Sequence, residues 1–348
     1  MMKYEDVLTF EKQLYLPTPR YLQIEITNRC DMLCPQCYKG SFEPKDMSAK
    51  MFDMVMSDAQ CIGVNTVTLN GGEPFKHSEF YNIIDILKKY HLKTYTFTSG
   101  DGITDGKIDT IYSDGLDILL FVSLNGSTQE INMLSRDGYD IAIEAMSRLK
   151  RKGKRYGVNW VCRHDNVYDF PNMLSLCKKL HASSINIVAN KLSGTGNIHS
   201  ELTSSDYLFL KRYIENQVVV KPSYITIQHC YNVLNKILKR PVNAHLNMCG
   251  AGALLCCVTV DGDYTPCTHL YFAEKAVDIS DYWNHSSILH QLRNSRLQKK
   301  KCIDCSVSSA CFFCKAMHLE TSLDFKTEPN YCAIKYIVNE ENCYVKNI

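Results

Sequence analysis

Six short runs rich in β-branched and aromatic residues recur along residues 21–190 of the chain. They are YLQIEIT (21–27), VNTVTLN (64–70), LKTYTFTS (92–99), LDILLFVSLN (116–125), YGVNWVC (156–162) and INIVAN (185–190). Amphipathic stretches separate them, near 48–58, 76–90, 139–151, 169–181 and 203–215. Parallel strands need a crossover of a dozen or more residues, and a helix supplies it. The alternation therefore predicts an α/β fold built on a parallel sheet. Six βα units in roughly 200 residues fall short of a closed eight-unit barrel, which takes about 250. An open or partial (β/α)6 barrel is expected.

Charge and hydropathy exclude other classes. Lys+Arg number 39 and Asp+Glu 37, for a net charge of +2, without the basic stripe that a nucleic-acid groove requires. The basic run KRKGKR (150–155) reads as a solvated helix end with cations placed favourably on the helix dipole. No run of 18 apolar residues offers a membrane span. The opening MMKYEDVLTF lacks the basic-then-apolar pattern of a secretory signal, so a cytoplasmic location is expected. There, persistent disulfides are rare, yet the chain holds 17 cysteines, an odd number that cannot all pair.

Their placement is uneven. Cys30, Cys34, Cys37, Cys61, Cys162, Cys177 and Cys230 occupy the first 248 residues. Cys249, Cys256, Cys257, Cys267, Cys302, Cys305, Cys311, Cys314, Cys332 and Cys343 crowd the last 100. This divides the chain into an N-terminal extension (1–20), the barrel (21–235) and a cysteine-rich region (236–348). In the last, periodicity weakens, helix is expected at 284–299, and VTVDGDYTPC reads as a hairpin turning at Asp261-Gly262.

The first cysteine group follows the first strand in EITNRCDMLCPQCYKG, with spacing C-x3-C-x2-C. The C-terminal edge of a parallel sheet is where α/β proteins place their chemistry. Three thiolates on a tight loop suit zinc with a fourth ligand, or an iron–sulfur cube with one iron left open, and the spacing alone admits both. With the aromatic Tyr38 behind it, this text resembles the signature of the radical S-adenosylmethionine (SAM) superfamily. TLNGGEP, after the second strand, is similar to that family's GGE motif.

The resemblance implies a [4Fe–4S] cluster on Cys30, Cys34 and Cys37 that chelates SAM. It implies that Gly71, Gly72, Glu73 and Pro74 receive the SAM amino group, and that SLNG, with Ser123 and Asn125, approaches the ribose. Arg136 would lie near the SAM carboxylate, and Asn159, or else Arg163, would make a further contact. The SGTG run (193–196) would come close to the adenine side.

The second group, CGAGALLCCVTVDGDYTPC followed by CIDCSVSSACFFC and YC, resembles the SPASM extension of peptide-modifying radical SAM enzymes. That implies two auxiliary [4Fe–4S] clusters. One would take Cys249, Cys256 or Cys257, Cys267 and Cys314, and the other Cys302, Cys305, Cys311 and Cys332. Neighbours on a strand face opposite ways, so only one of Cys256 and Cys257 should ligate. The spacing after Cys305 is x5 then x2, where the family carries x5 then x3. Two structural zinc sites remain the alternative for the same thiolates.

Among the other cysteines, Cys162 and Cys230 are candidates to donate a hydrogen atom to a substrate radical, with ordinary strand packing as the alternative. His164 could accept a proton, and His269 could support the cluster next to Cys267. The implied reaction is reductive cleavage of SAM to a 5′-deoxyadenosyl radical, which abstracts hydrogen from a peptide to give a thioether or carbon–carbon crosslink. Alternatives are a peptide epimerase using a cysteine donor, a sulfatase-type maturase, a small-molecule SPASM oxidoreductase, and, outside catalysis, a zinc-stabilised interaction protein. Expected partners are the peptide, a flavodoxin or ferredoxin as electron donor, and a separate leader-binding protein, since about 20 residues precede the first strand.

Overall fold

The strand β1 (Tyr21–Thr27) sets the pattern of the sheet. Leu22, Ile24 and Ile26 are fully buried in the apolar core, so Gln23, Glu25 and Thr27 face the other way. The structure, a computed structural model, describes residues 15–40, 43–191, 193–195, 200–216, 224–228, 250–295 and 316. In it β2 (Thr66–Gly71), β3 (Lys93–Thr98), β4 (Ile118–Ser123), β5 (Tyr156–Cys162) and β6 (Ser184–Ala189) follow where the sequence pattern puts them. A short β7 (Ile225–Ile227) extends the row.

The connecting helices are α1 (Ala49–Cys61), α2 (Phe80–Tyr90), α3 (Asp105–Ile111), α4 (Gln129–Met133), α5 (Tyr139–Arg151), α6 (Phe170–Lys179) and α7 (Ser204–Glu215). Ser48, Thr104, Thr128 and Thr203 start four of them, each hydroxyl accepting the backbone N–H three residues on. The short α3 and α4 were not expected, because seven and five residues barely display a helical period. The longer helices pack on one face of the sheet. The other face is the inner face, and it is more polar.

The hairpin read from VTVDGDYTPC forms from β8 (Leu255–Val258) and β9 (Tyr264–Thr265), paired antiparallel. Its first strand also pairs in parallel with β1, from Tyr21↔Leu255 to Ile24↔Val258. One sheet of nine strands results, in the order β7-β6-β5-β4-β3-β2-β1-β8-β9. The edge of β1, which would otherwise lie open, is thereby covered.

The helix expected at 284–299 is instead two, α8 (Ile279–His285) and α9 (Ser287–Ser295). Ser286 divides them, its hydroxyl accepting the Leu289 N–H at 2.9 Å to begin a new turn. Trp283 Nε1 donates to the Leu16 carbonyl at 2.9 Å, and the Ile279 N–H to Asp58 on α1 at 2.7 Å. These bonds fasten residues 250–295 to the barrel. No helix among the described residues is long and apolar enough to cross a membrane.

Candidate functional site at the C-terminal edge of the sheet

The loop carrying Cys30, Cys34 and Cys37 leaves β1 and is tied down from three directions. From the β2 side, the Gly72 N–H donates to Thr27 O at 2.8 Å and the Glu73 N–H to Arg29 O at 2.7 Å. From the segment after β4, Asp137 accepts the Leu33 N–H at 3.0 Å and Ser135 O accepts the Gln36 N–H at 3.1 Å. From beyond β6, Thr195 Oγ1 accepts the Cys37 N–H at 2.7 Å, and the Thr195 N–H donates to Cys37 O at 2.9 Å.

All three cysteines are free thiols, Cys30 exposed and the other two half-buried. Among the described residues no three His, Cys, Asp or Glu side chains gather around a single ion position.

The two glycines of the GGE run are required by contact. A Cβ on Gly71 would meet Thr27 O at 2.2 Å, and one on Gly72 would meet Arg29 O at 2.3 Å. The turn is thus pressed against the base of the cysteine loop, and Tyr38 Oη donates to Gly71 O at 3.0 Å from the other side. Pro74 opens a short 3-10 turn, Pro74–Lys76.

Glu73 is held within the protein. Its buried carboxylate accepts bonds from Phe75 N (3.1 Å), Thr98 Oγ1 (2.7 Å), Ser99 N (2.7 Å) and Ser99 Oγ (2.6 Å). Burial raises its pKa, against the pull of Ser99 and Thr98. The carboxylate is turned to the end of β3 and anchors the glycine turn.

Asn125 is likewise engaged. Its Nδ2 donates to Ser135 Oγ at 2.8 Å and its Oδ1 accepts the Val161 N–H at 3.0 Å. Its carbonyl accepts Trp160 Nε1 and Asn166 Nδ2. It joins the segments after β4 and β5. Ser123 and Asn159 do remain half-buried on the inner face, as register partners. Arg163 is engaged with Asp165 through Nε at 2.9 Å and Nη2 at 2.5 Å. The run 193–196 approaches the cysteine loop. A Cβ on Gly194, whose φ is +65°, would meet Cys37 O at 2.0 Å, so its described residues grip the cysteine loop.

Near this edge of the sheet, two of the buried donors without partners among the described residues are Asn70 Nδ2 at the end of β2 and Arg136 Nε after β4. Leaving buried donors unsatisfied costs about 1–3 kcal/mol each, which a polar ligand at this rim would offset. Together with the three-thiol loop and the glycine turn packed against it, they fit a cube with SAM bound beside it.

Sequence reasoning missed Lys39 and Glu25. Lys39 Nζ reaches back from the cysteine loop to Glu25 Oε2 (2.8 Å) and Asn28 Oδ1 (2.7 Å), and both charged groups are buried. Burial pushes the Glu25 carboxyl up and Lys39 opposes it. The position of Lys39, two residues past Cys37, was the available signal.

Cys162 belongs to the apolar core with Trp160 and Phe170. Strand alternation turns it from the inner face, which Asn159 and Val161 share. As a hydrogen donor at the inner face it is therefore ruled out, and Cys230 lies outside the described residues. Cys256 is also in the apolar core. Cys257, the register partner of Gln23 and Thr265, lies on the inner face. Burial, then Glu25, and more weakly Cys267 push its thiol well up.

Cys249, Cys302, Cys305, Cys311, Cys314 and Cys332 lie outside the described residues. His269 meets the Tyr38 ring edge-on at 4.9 Å and Ser193 Oγ at 3.2 Å, and burial, with Lys191, holds its pKa well below the ordinary value. His164 pairs with Asp206 at 2.7 Å.

Residues 24–177 match the profile of the radical SAM superfamily. Over 310 residues the chain is 24% identical to the mycofactocin maturase MftC of Mycolicibacterium smegmatis, covering 85% of this chain and 78% of the relative. Among solved structures, Streptococcus suis SuiB bound to S-adenosylmethionine superposes with a TM-score of 0.73 at 19% identity, covering 89% of this chain and 76% of that one. SuiB bound to its precursor peptide SuiA gives 0.75 at 18%, covering 92% and 79%.

Proposed function

We propose, from the match of residues 24–177 to the radical SAM superfamily, that this enzyme cleaves SAM reductively and uses the 5′-deoxyadenosyl radical to join two side chains of a peptide through a thioether or carbon–carbon crosslink. The chemistry supplied by a [4Fe–4S] cluster here is delivery of one electron to the SAM sulfonium. Cys30, Cys34 and Cys37 would hold it, and Gly71 and Gly72 would offer backbone to the SAM amino group. Arg136 Nε would meet the carboxylate, with Tyr38, Ser123 and Asn159 facing the remainder. The observation that carries the reading is the pair of unpartnered buried donors, Asn70 Nδ2 and Arg136 Nε, at the rim that also bears the cysteine loop.

A peptide substrate is supported by the relatives, a maturase and an enzyme solved with a precursor peptide. Epimerisation needs a hydrogen donor facing the substrate, and the burial of Cys162 in the core removes one of its two candidates. Crosslinking is an oxidation. We assign the electron's acceptor to auxiliary clusters, one on Cys249, Cys257, Cys267 and Cys314 and one on Cys302, Cys305, Cys311 and Cys332. A flavodoxin or ferredoxin would supply the initiating electron, and a separate leader-binding protein would deliver the peptide.

The test is anaerobic incubation of iron-loaded protein with SAM, dithionite and candidate peptides in D2O. Formation of 5′-deoxyadenosine with a peptide lighter by two hydrogens is expected. A one-unit mass gain at an α-carbon would replace crosslinking by epimerisation. An iron-replete sample that makes no 5′-deoxyadenosine would overturn the reading.

A further inference from the structure

Four neighbouring strands carry a row of polar side chains across the inner face. Ser123 on β4 is in register with Asn159 on β5, Asn159 with Asn186 on β6, and Asn186 with Thr226 on β7. All four are half-buried. The Thr226 hydroxyl donates to Asn186 Oδ1 at 3.1 Å, and Asn186 Nδ2 donates to Asn159 Oδ1 at 2.8 Å.

A side-chain amide has one accepting end and one donating end, so the sense of this chain propagates. In the structure the Thr226 hydroxyl, which also lies 3.4 Å from Ile185 O, takes the oxygen of Asn186 and leaves the Asn186 NH2 for Asn159. That bond in turn fixes the Asn159 amide with its oxygen toward β6. The Asn159 NH2 takes no partner among the described residues, and it lies on the side of the amide away from β6, toward Ser123. Such chains polarise one another inside a protein and hold their members in one orientation.

The geometry points to Asn186 and Thr226 as positioning residues that hold the Asn159 NH2 toward a hydrogen-bond acceptor on the nucleoside part of bound SAM. Neither residue touches the ligand; each acts through Asn159. The inference rests on the radical SAM reading, and it adds a direction to the contact. Asn159 presents a donor there, and two residues on strands further from the cysteine loop set that choice.

The test measures SAM affinity by equilibrium dialysis on anaerobically reconstituted full-length protein, with thermal unfolding as a control for folding. Asn159→Ala should weaken SAM binding about three- to tenfold, the loss of one hydrogen bond. Asn186→Leu should weaken it to a similar extent, and Thr226→Val, which keeps the β-branched shape, by less.

Asn186→Asp offers only acceptors to Asn159. It should turn the Asn159 amide round and weaken binding more than Asn186→Leu does. In an Asn159→Ala background, Asn186→Leu should have no further effect, since a residue acting through Asn159 has nothing left to act on. Wild-type affinity in Asn186→Leu and Asn186→Asp, or an equal loss with and without Asn159, overturns the inference while leaving SAM binding intact. Unchanged affinity in Asn159→Ala also overturns it. A wild-type protein that binds no SAM removes the radical SAM reading itself.

Discussion

Thr195 grips Cys37 at both ends of one residue, its hydroxyl accepting the Cys37 N–H at 2.7 Å while its own N–H donates to the Cys37 carbonyl at 2.9 Å. The segment after β6 thereby sets where the third thiol of the cysteine loop stands. Gly194 makes the approach possible, with a φ of +65° and no Cβ to strike Cys37 O.

Gly194→Ala should therefore displace the loop. The added methyl meets backbone rather than a flexible side chain, and overpacking of this kind costs about 1–3 kcal/mol. Iron and sulfide per chain after anaerobic reconstitution should fall well below wild type. Thr195→Val, which loses only the hydroxyl bond, should fall between. Wild-type iron content in Gly194→Ala would remove the grip as a determinant of the site.

The hairpin cysteines separate by face. Cys256 packs in the core, while Cys257 faces Gln23 and Thr265. If the proposed auxiliary assignment holds, Cys257→Ser should lose about four irons per chain, one cube. Cys256→Val should keep its iron and shift stability by less than about 1.5 kcal/mol, as an apolar core exchange of similar volume. Iron analysis of the two variants side by side decides the assignment, and the reverse pattern would return it to Cys256.

Asp46 holds the base of the cysteine loop. Its carboxylate accepts from Thr27 Oγ1 at 2.5 Å, Arg29 Nε at 2.9 Å and Ser78 N at 3.2 Å. Partial burial alone would raise its pKa, but the bonds from Thr27, Ser78 and Arg29 outweigh that and bring it to about 2. A carboxyl depressed on folding stabilises fully above its unfolded value, about 3.9, and the contribution fades as pH falls towards 2. Asp46→Asn should cost about 1–2 kcal/mol at neutral pH, and the gap to wild type should close between about pH 4 and pH 2. Urea unfolding of both metal-free proteins across that range measures it; a gap that persists at pH 2 would assign the loss to packing.

The six barrel strands were legible because their apolar runs are separated by turns and helical periods, and period is a local property. The cysteine loop and GGEP were legible because their spacing is local too. Asn125 was not. Its residue type and place after β4 suited a ligand contact, but its partners, Ser135 and Val161, are fixed only when β4 and β5 pair in register. The same holds for Asn186, whose bond to Asn159 follows from the register of β5 with β6. The parallel seat of β8 on β1 was hidden for a related reason: its four residues carry no sign of which strand they will join. Lys39 was missed because a lysine beside a motif ordinarily points to solvent, and only the folded loop brings it to the buried Glu25.

Glu73 provides the sharpest division between holding the site and touching its ligand. Four donors converge on its carboxylate, from Phe75, Thr98 and Ser99. Glu73→Gln keeps the shape but turns an NH2 towards donors, which leaves buried groups unpaired at about 1–3 kcal/mol. Thermal stability should drop, and SAM affinity should drop with it as the glycine turn shifts. Removing the donors instead, with Thr98→Val and Ser99→Ala together, should weaken SAM binding in the same way although Glu73 is intact. A carboxylate that took the SAM amino group directly would behave differently. Glu73→Gln would then lose affinity at unchanged stability, and the Thr98 and Ser99 substitutions would leave affinity near wild type. Equilibrium SAM binding and thermal unfolding on the same preparations separate the two.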